Sequence, residues 1–156
     1  MITTGVSNET TIDAIRKGGE DKKNVVKEMM LADLGICNVV LSGTKEKPIV
    51  STVHQLTDDN GNQKQYTLQL GQESVGTQRF FSRIGLWMDA MNSGAVLVVD
   101  EIEASMHPLL TRHLIEMIQD QTINQNHAQL IFTTHDTGHT GFEIASARSD
   151  LVCRER

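Results

Sequence analysis

Two acidic residues follow a short run of apolar residues in the second half of the sequence. Ala95 to Val99 is continuously apolar and is followed directly by Asp100 and Glu101. A buried strand that ends in two carboxylates delivers them to the carboxyl edge of its sheet, where open α/β folds bind their ligands. At that edge one carboxylate can bind a divalent cation, and the other can orient or deprotonate a water molecule. The pair taken alone leaves open an ordinary strand end followed by solvated charge.

A histidine follows the next predicted strand along the chain. Residues 129–133 have the composition of a second buried strand, and Thr134 and His135 come directly after it. Neighbouring parallel strands end at the same edge of a sheet, so we expect His135 beside Asp100 and Glu101. A histidine in that place can donate to a phosphate oxygen. A lone histidine at a strand end is more often part of a polar loop, but its pairing with the acidic residues favours a functional role.

Two further segments adjoin predicted helices. The string Glu-Ser-Val-Gly-Thr-Gln-Arg at residues 73–79 contains Ser74 as a candidate helix cap. Gly76 would let backbone N–H groups approach an anion closely at a helix N-terminus. The isolated string fits a simple capping box equally well. Residues 104–108, Ala-Ser-Met-His-Pro, connect the acidic pair to a following helix, which the proline opens.

Apolar spacing in the first half predicts helices and then a hairpin. A helical pattern runs from Thr11 to Leu34 and is broken at Gly18-Gly19. Two β-type runs, at residues 49–56 and 65–70, enclose the dipeptide Asn60-Gly61. Asn-Gly between alternating apolar and polar residues is a strong short-range signal for a β-hairpin.

Apolar spacing in the second half predicts a parallel core. One helix spans residues 77–91, and the chain from Ala95 to Thr134 then reads strand, helix, strand with a right-handed parallel crossover. The apolar stripe of the crossover helix consists of Leu110, Leu114, Met117 and Ile118. The sequence therefore predicts an α/β fold with an N-terminal helical segment, a β-hairpin and a parallel β-α-β core.

Composition excludes several classes of protein. The chain has 156 residues, with 14 Lys and Arg against 20 Asp and Glu, and a net charge of -6 that argues against a general phosphate-backbone binder. Aromatic residues make up 4%, too few for a platform that stacks single-stranded nucleic acid. No apolar run approaches the roughly 20 residues of a membrane helix, and the N-terminus lacks signal-peptide features. We therefore expect no membrane partner. Cys37 and Cys153 form neither a disulfide nor a zinc pattern, so we expect a cytoplasmic protein.

In combination, the four segments resemble the nucleotide-binding heads of ABC-type ATPases. The similarity is closer to AAA-type ATP/GTP-binding proteins of bacterial abortive-infection, toxin–antitoxin or phage-defence systems. In those proteins Glu-Ser-x-Gly-Thr-x-Arg, Leu-Val-Val-Asp-Glu, Ser-x-His-Pro-Leu-Leu and Phe-Thr-Thr-His-Asp-Thr occur in this order, as they do here between residues 50 and 137. The resemblance implies a P-loop NTPase fold that binds and hydrolyses ATP with Mg²⁺.

The resemblance assigns one group of residues to the nucleotide of their own subunit. It implies that Asp100, at the end of a Walker B strand, holds Mg²⁺ through water. It also implies that Glu101 orients or deprotonates the attacking water and that His135, the switch histidine, contacts the γ-phosphate. Whether the nucleotide is ATP or GTP stays open.

The resemblance assigns a second group to an interface between subunits. Ser74, Gly76 and Thr77 lie in the signature loop, which in such heads contacts a nucleotide held by a second subunit. Ser105 and His107 lie in the D-loop. The resemblance thus implies ATP-driven dimerisation, in a homodimer or a higher oligomer, and a toxin or nuclease effector as a partner. Nucleic acid as a partner stays open.

The sequence departs from the family at both ends. No Gly-x-x-x-x-Gly-Lys-Ser/Thr motif occurs in it, so we interpret the chain as the C-terminal part of a longer ATPase that lacks Walker A and is inactive in isolation. Residues 1–35 would be a helical lead-in and residues 36–137 the C-terminal lobe. After Asp136-Thr137 the family usually continues with leucines, two arginines and then a strand Asp-Gln-Ile-Trp-Phe-Val-Glu. A one-base shift of frame from Phe142 can yield such a continuation. We therefore expect an irregular, frame-shifted tail over residues 138–156.

Two other functions remain open. One is a non-catalytic interaction or dimerisation remnant, in which the helix bearing Phe80, Ile84 and Trp87 and an exposed sheet edge would bind a partner. The other is an ATPase head of the DNA-repair and chromosome-maintenance type, which shares the four segments. The acidic charge and the lack of coiled-coil heptads disfavour that second alternative.

Overall fold

The computed structural model describes residues 2–3, 7–33, 35–57, 61–135 and 153–154. The strands in chain order are β1 (Ile2–Thr3), β2 (Ile36–Gly43), β3 (Pro48–Thr57), β4 (Gln63–Gln69), β5 (Val96–Val99), β6 (Gln129–Thr133) and β7 (Cys153–Arg154). The helices are α1 (Glu9–Lys17), α2 (Gly19–Ala32), α3 (Val75–Ser93) and α4 (Pro108–Gln119), with a 3-10 turn at Leu70–Gln72. The chain forms two compact units, one of residues 8–85 and one of residues 1–7 with 86–156.

The unit of residues 8–85 begins with the predicted pair of helices. Ile12 and Ile15 on α1 and Val25 and Met29 on α2 are buried. Most charged residues of the two helices are exposed, but Glu28 is buried. The break falls at Gly18, where the chain takes a positive φ of 72° that residues with a side chain rarely adopt. The expected interruption of the helical pattern at Gly18-Gly19 is therefore confirmed.

The same unit contains an antiparallel sheet of three strands in the order β2-β3-β4. The expected hairpin is confirmed as β3 and β4, whose last pair, Thr57 with Gln63, leaves five residues between the strands. Of the predicted turn, residues 58–60 lie outside the part of the chain that the structure describes. The sequence did not predict β2, which pairs with β3 and contributes Ile36 and Val39 to the core.

Helix α3 makes a close contact with α1 inside the unit of residues 8–85. The Thr11 hydroxyl donates to the Phe81 carbonyl at 2.7 Å and accepts from the Gly85 amide at 3.0 Å. A Cβ atom on Gly85 would lie 2.4 Å from the Thr11 backbone, so only glycine fits there. In an α-helix the Phe81 carbonyl and the Gly85 amide ordinarily bond each other, and here the Thr11 hydroxyl bonds both of these groups.

The other unit contains an all-parallel sheet in the order β1-β5-β6-β7. The predicted β-α-β core is confirmed as β5, α4 and β6, with β5 and β6 paired in parallel. Leu97 and Val99 are buried, but Val96 and Val98 are only half-buried, so the prediction that this apolar run forms a fully buried strand is wrong. Alternate β5 side chains point to opposite faces, and the described residues bury one face more completely than the other.

A nine-residue loop joins α4 to β6 and is organised around one buried side chain. The Asn124 amide nitrogen donates to the carbonyls of Ile118 at 2.7 Å and Ala128 at 2.8 Å. Its carbonyl oxygen accepts from the Ala128 amide at 2.8 Å. The Asn126 side chain bonds the carbonyls of Met91 and Asn92, at the end of α3. Three bonds from one asparagine therefore close the loop onto both of its ends.

Among the described helices, none combines the length and the apolar character needed to cross a membrane. The expected frame-shifted tail, residues 138–156, lies outside the described residues except for the backbone of β7.

Candidate functional site

The carboxyl ends of β5 and β6 bring Asp100 beside Thr133. The strands run in parallel and pair up to Val99 and Phe132, so the next residues of each strand meet at one edge of the sheet. The Thr133 hydroxyl donates to Asp100 Oδ1 at 2.5 Å and accepts from the Glu101 backbone N–H at 2.9 Å. One hydroxyl group therefore orients both acidic residues.

Glu101 adopts a backbone conformation that is unusual for a residue with a side chain. Its φ is 48°, in the left-handed region, which costs of the order of 1–2 kcal/mol for a non-glycine residue. The amides on either side of this turn, those of Glu101 and Ile102, are both held by Thr133, through its hydroxyl and its carbonyl oxygen. The buried Ile102 side chain anchors the turn. Strained residues of this kind persist where the surroundings over-determine them, which is common at active sites.

His135 lies next to Glu101, as the parallel strand order predicts. Its Nε2 is 3.4 Å from Glu101 Oε1, and both side chains are more than half exposed. The backbone N–H of His135 donates to Glu103 Oε1 at 2.6 Å. We use the name acidic edge for the set Asp100, Glu101, Glu103, Thr133 and His135.

The pKa of Glu103 lies below the ordinary value of a glutamate. Burial by itself raises this pKa, but the hydrogen bonds to the carboxylate together lower it by more than burial raises it. The largest of these bonds comes from the His135 backbone N–H, followed by the Glu103 amide and the Thr134 hydroxyl, with a smaller contribution from the charge of the His135 ring. The carboxylate thus fixes the segment that carries His135.

The connector between the acidic edge and α4 contains the two expected D-loop residues. Ser105 is exposed and has a φ of 59°, a second left-handed residue within five positions. His107 is the N-cap of α4, and its Nδ1 accepts from the Leu109 amide at 3.3 Å. The buried Met106 lies between them and holds the connector to its own unit.

Ser74, Gly76 and Thr77 belong to the unit of residues 8–85. The Thr77 amide donates to Ser74 Oγ at 3.1 Å, and the two hydroxyl oxygens are 2.8 Å apart, so the expected cap is present. Helix α3 begins at Val75, two residues earlier than the sequence predicts, which places Gly76 and Thr77 in its first turn. The described part of the chain offers no partner to the N–H groups of Val75 and Gly76.

The sequence interpretation missed two residues of the acidic edge. Thr133 acts through its hydroxyl, and the only sequence signal was a threonine as the last residue of the strand that leads to His135. Glu103 stands two residues after Glu101 and resembles solvated charge in the sequence. The role of Glu103 depends on the left-handed turn at Glu101, and a glutamate at that position does not predict such a turn.

The comparisons with known proteins bear on this arrangement. Residues 17–138 match the family described as "AAA domain, putative AbiEii toxin, Type IV TA system". A comparison with curated proteins gives no significant match. The matched range contains α2, the antiparallel sheet, α3 and the whole acidic edge. Because the match spans most of the sequence, the chain belongs to this family of AAA domains, which are ATPase-type nucleotide-binding domains linked to abortive-infection toxin–antitoxin systems.

Proposed function

We propose that this chain supplies catalytic residues to an ATP-hydrolysing assembly. The observation that carries the proposal is the acidic edge, where Asp100, Glu101 and His135 stand together at the ends of two adjacent parallel strands. Glu101 would orient the attacking water and accept its proton. His135 would donate to the γ-phosphate on the same side. Most of the rate enhancement in phosphoryl transfer comes from such positioning and charge stabilisation.

Asp100 fits the cation that accompanies a nucleotide. The described residues contain no group of three or more His, Cys, Asp or Glu side chains able to hold a metal ion by themselves. Mg²⁺ in nucleotide sites keeps several waters and is bound through one or two carboxylates together with phosphate oxygens. A single oriented carboxylate such as Asp100 suits that mode, in which Mg²⁺ neutralises phosphate charge. The Thr133 hydroxyl keeps Asp100 Oδ1 in place for it.

The first turn of α3 would contact a nucleotide held by a second subunit. When the Thr77 hydroxyl donates to Ser74 Oγ, the Ser74 proton is left to donate outward to a phosphate oxygen. The Val75 and Gly76 amides add two donors at the positive end of the helix. We propose that Ser105 and His107 lie at the same subunit interface. The assembly would then be a homodimer or a higher oligomer that closes on ATP.

This proposal requires a Walker A element from another polypeptide segment, because the sequence contains no Gly-x-x-x-x-Gly-Lys-Ser/Thr motif. That element supplies the lysine and the backbone amides that cradle the β- and γ-phosphates. The isolated chain should therefore show no ATP hydrolysis. We propose that a toxin or nuclease effector is coupled to turnover, in line with the family's link to abortive infection.

The test is Glu101→Gln in a protein that joins this chain to an N-terminal segment with a Walker A motif. The amide keeps the shape of the side chain and removes the base, so hydrolysis should fall by roughly 100-fold while ATP binding persists. Glu116→Gln is the matched control, because Glu116 is exposed on α4 and bonded to Arg112. Turnover that Glu101→Gln leaves unchanged would remove Glu101 from the mechanism. Robust hydrolysis by the isolated chain would contradict the need for Walker A.

A further inference from the structure

A buried carboxylate lies directly before the first turn of α3 and has no part in the chemistry proposed above. The Glu73 and His54 side chains are each 4% exposed, and Glu73 Oε1 is 2.6 Å from His54 Nε2. The fully buried Thr52 hydroxyl donates to the same carboxylate oxygen. The His54 ring also stacks on Tyr66 of β4, with 5.0 Å between the ring centroids and 15° between the planes. We call Thr52, His54 and Glu73 the Glu73 cluster.

The position of the Glu73 cluster in the fold suggests its purpose. Thr52 and His54 are alternate residues of β3, so their side chains share one face of the middle strand of the antiparallel sheet. Glu73 stands between the 3-10 turn and α3. A carboxylate costs several kcal/mol to bury, and that cost is offset only where its hydrogen bonds are well made. The cluster therefore ties one particular point of the chain to a rigid strand.

That point controls the backbone of the following residues. The Glu73 amide donates to the Leu70 carbonyl at 3.1 Å, and the Glu73 carbonyl accepts from the Gln78 side chain at 2.8 Å. Ser74, the cap of α3, comes next. With both its backbone groups and its side chain held, Glu73 leaves Ser74 little freedom to change direction.

We propose that Glu73 is a positioning residue, which with His54 and Thr52 holds the first turn of α3 in the geometry that binds phosphate. The inference rests on the proposed role of Ser74 and Gly76 toward a nucleotide. Glu73 acts through Ser74 and does not itself contact the nucleotide, because a buried acceptor group has nothing to offer an anion. Loss of the cluster should weaken phosphate binding at this turn although no phosphate-binding group is removed.

Hydrogen exchange on the full chain tests the positioning itself without any nucleotide. Thr52→Val removes the hydroxyl and keeps the shape, whereas Thr52→Ser keeps the hydroxyl. Exchange at the Thr77 and Gln78 amides, which are bonded to the Ser74 hydroxyl and carbonyl, should become about tenfold faster in Thr52→Val, the factor expected for one lost hydrogen bond to a charged group, and stay near the unmodified rate in Thr52→Ser. Val50→Ala, a core truncation in the same strand, is the control for general destabilisation. Equal rates in Thr52→Val and the unmodified chain, or the same acceleration in Val50→Ala, would overturn the inference.

A second measurement separates this inference from the proposed function. Sodium tripolyphosphate is titrated into the isotopically labelled full chain, and amide NMR shifts of residues 74–77 are followed. The unmodified chain and Thr52→Ser should bind with similar affinity, and Thr52→Val should bind about tenfold more weakly. If the unmodified chain does not bind at these residues, the phosphate role of the turn is wrong, whereas the exchange result still decides the positioning. If all three bind equally, Glu73 does not position the turn for phosphate.

Discussion

The hydroxyl of Thr133 should be coupled energetically to Asp100, and a double-mutant cycle measures that coupling. The cycle compares the unmodified chain with Thr133→Val, Asp100→Ala and the double variant. Val keeps the branched shape of Thr in the strand and replaces the hydroxyl with a methyl group. The methyl group gained cancels in the cycle, which isolates the interaction between the two side chains.

The structure sets the expected magnitude. A hydrogen bond to a charged group contributes about 1.5–3 kcal/mol, but Asp100 is exposed and water can replace its partner, so about 1 kcal/mol is expected for the coupling. The hydroxyl also accepts from the Glu101 amide at 2.9 Å, a neutral bond of about 1 kcal/mol. Thr133→Val alone should therefore lower the free energy of unfolding by about 2 kcal/mol, and by about 1 kcal/mol when Asp100 is already alanine.

Urea unfolding followed by the fluorescence of Trp87 is the assay. Trp87 is the single tryptophan of the sequence, is fully buried, and donates from its indole nitrogen to the Leu114 carbonyl at 2.9 Å. It belongs to the unit that contains Thr133, so it reports on that unit. A coupling energy below about 0.3 kcal/mol, the usual error of additivity, would refute the role given to the Thr133 hydroxyl.

Three further predictions concern other parts of the chain. Because the pKa of Glu103 is lower in the folded state, its contribution to stability is complete above the ordinary value of 4.5 and is lost as pH falls through the lowered pKa. Glu103→Gln should therefore flatten the acid side of the stability curve measured by urea unfolding between pH 6 and pH 3, and an unchanged curve would contradict this. Gly85→Ala should lower the midpoint of thermal unfolding by circular dichroism by about 4 °C or more, since its Cβ would meet the Thr11 backbone at 2.4 Å; a raised midpoint would contradict the contact. In the protein joined to a Walker A segment, Ser74→Arg should abolish ATP-driven dimerisation, measured by sedimentation, but keep the ATP affinity of the monomer. Mixing Ser74→Arg subunits with Glu101→Gln subunits should rebuild at most one competent site per heterodimer. Loss of ATP binding by the Ser74→Arg monomer would show that the turn acts within its own subunit.

Much of the parallel unit was predictable because its elements have strong local signals. The continuous apolar run of β5 and the proline at the start of α4 are read directly from neighbouring residues. The place of His135 followed from strand order alone, since adjacent parallel strands must end at one edge. The 3.4 Å between His135 Nε2 and Glu101 Oε1 depends in addition on the conformations of the two side chains, which strand order does not predict.

Other features depend on contacts between residues distant in sequence, which local patterns do not encode. Strand β2 is interrupted by polar residues and becomes a strand through its pairing with β3. Glu73 belongs to a string that resembles a capping box, and nothing in that string shows that Thr52 and His54 approach it from 21 and 19 positions away. The left-handed turn at Glu101 likewise depends on hydrogen bonds to Thr133, more than thirty positions later in the chain.

The loop closed by Asn124 has a consequence for the order of events during folding. Its three bonds join groups only four and six positions apart, so the loop can close on a local timescale, before any long-range pairing exists. Strand β1, by contrast, pairs with β5 across about ninety-five positions and must bear the full entropy of a long closure. The α4–β6 connection should thus form early and present the end of β6, with Thr133, as a template on which the acidic edge is later completed.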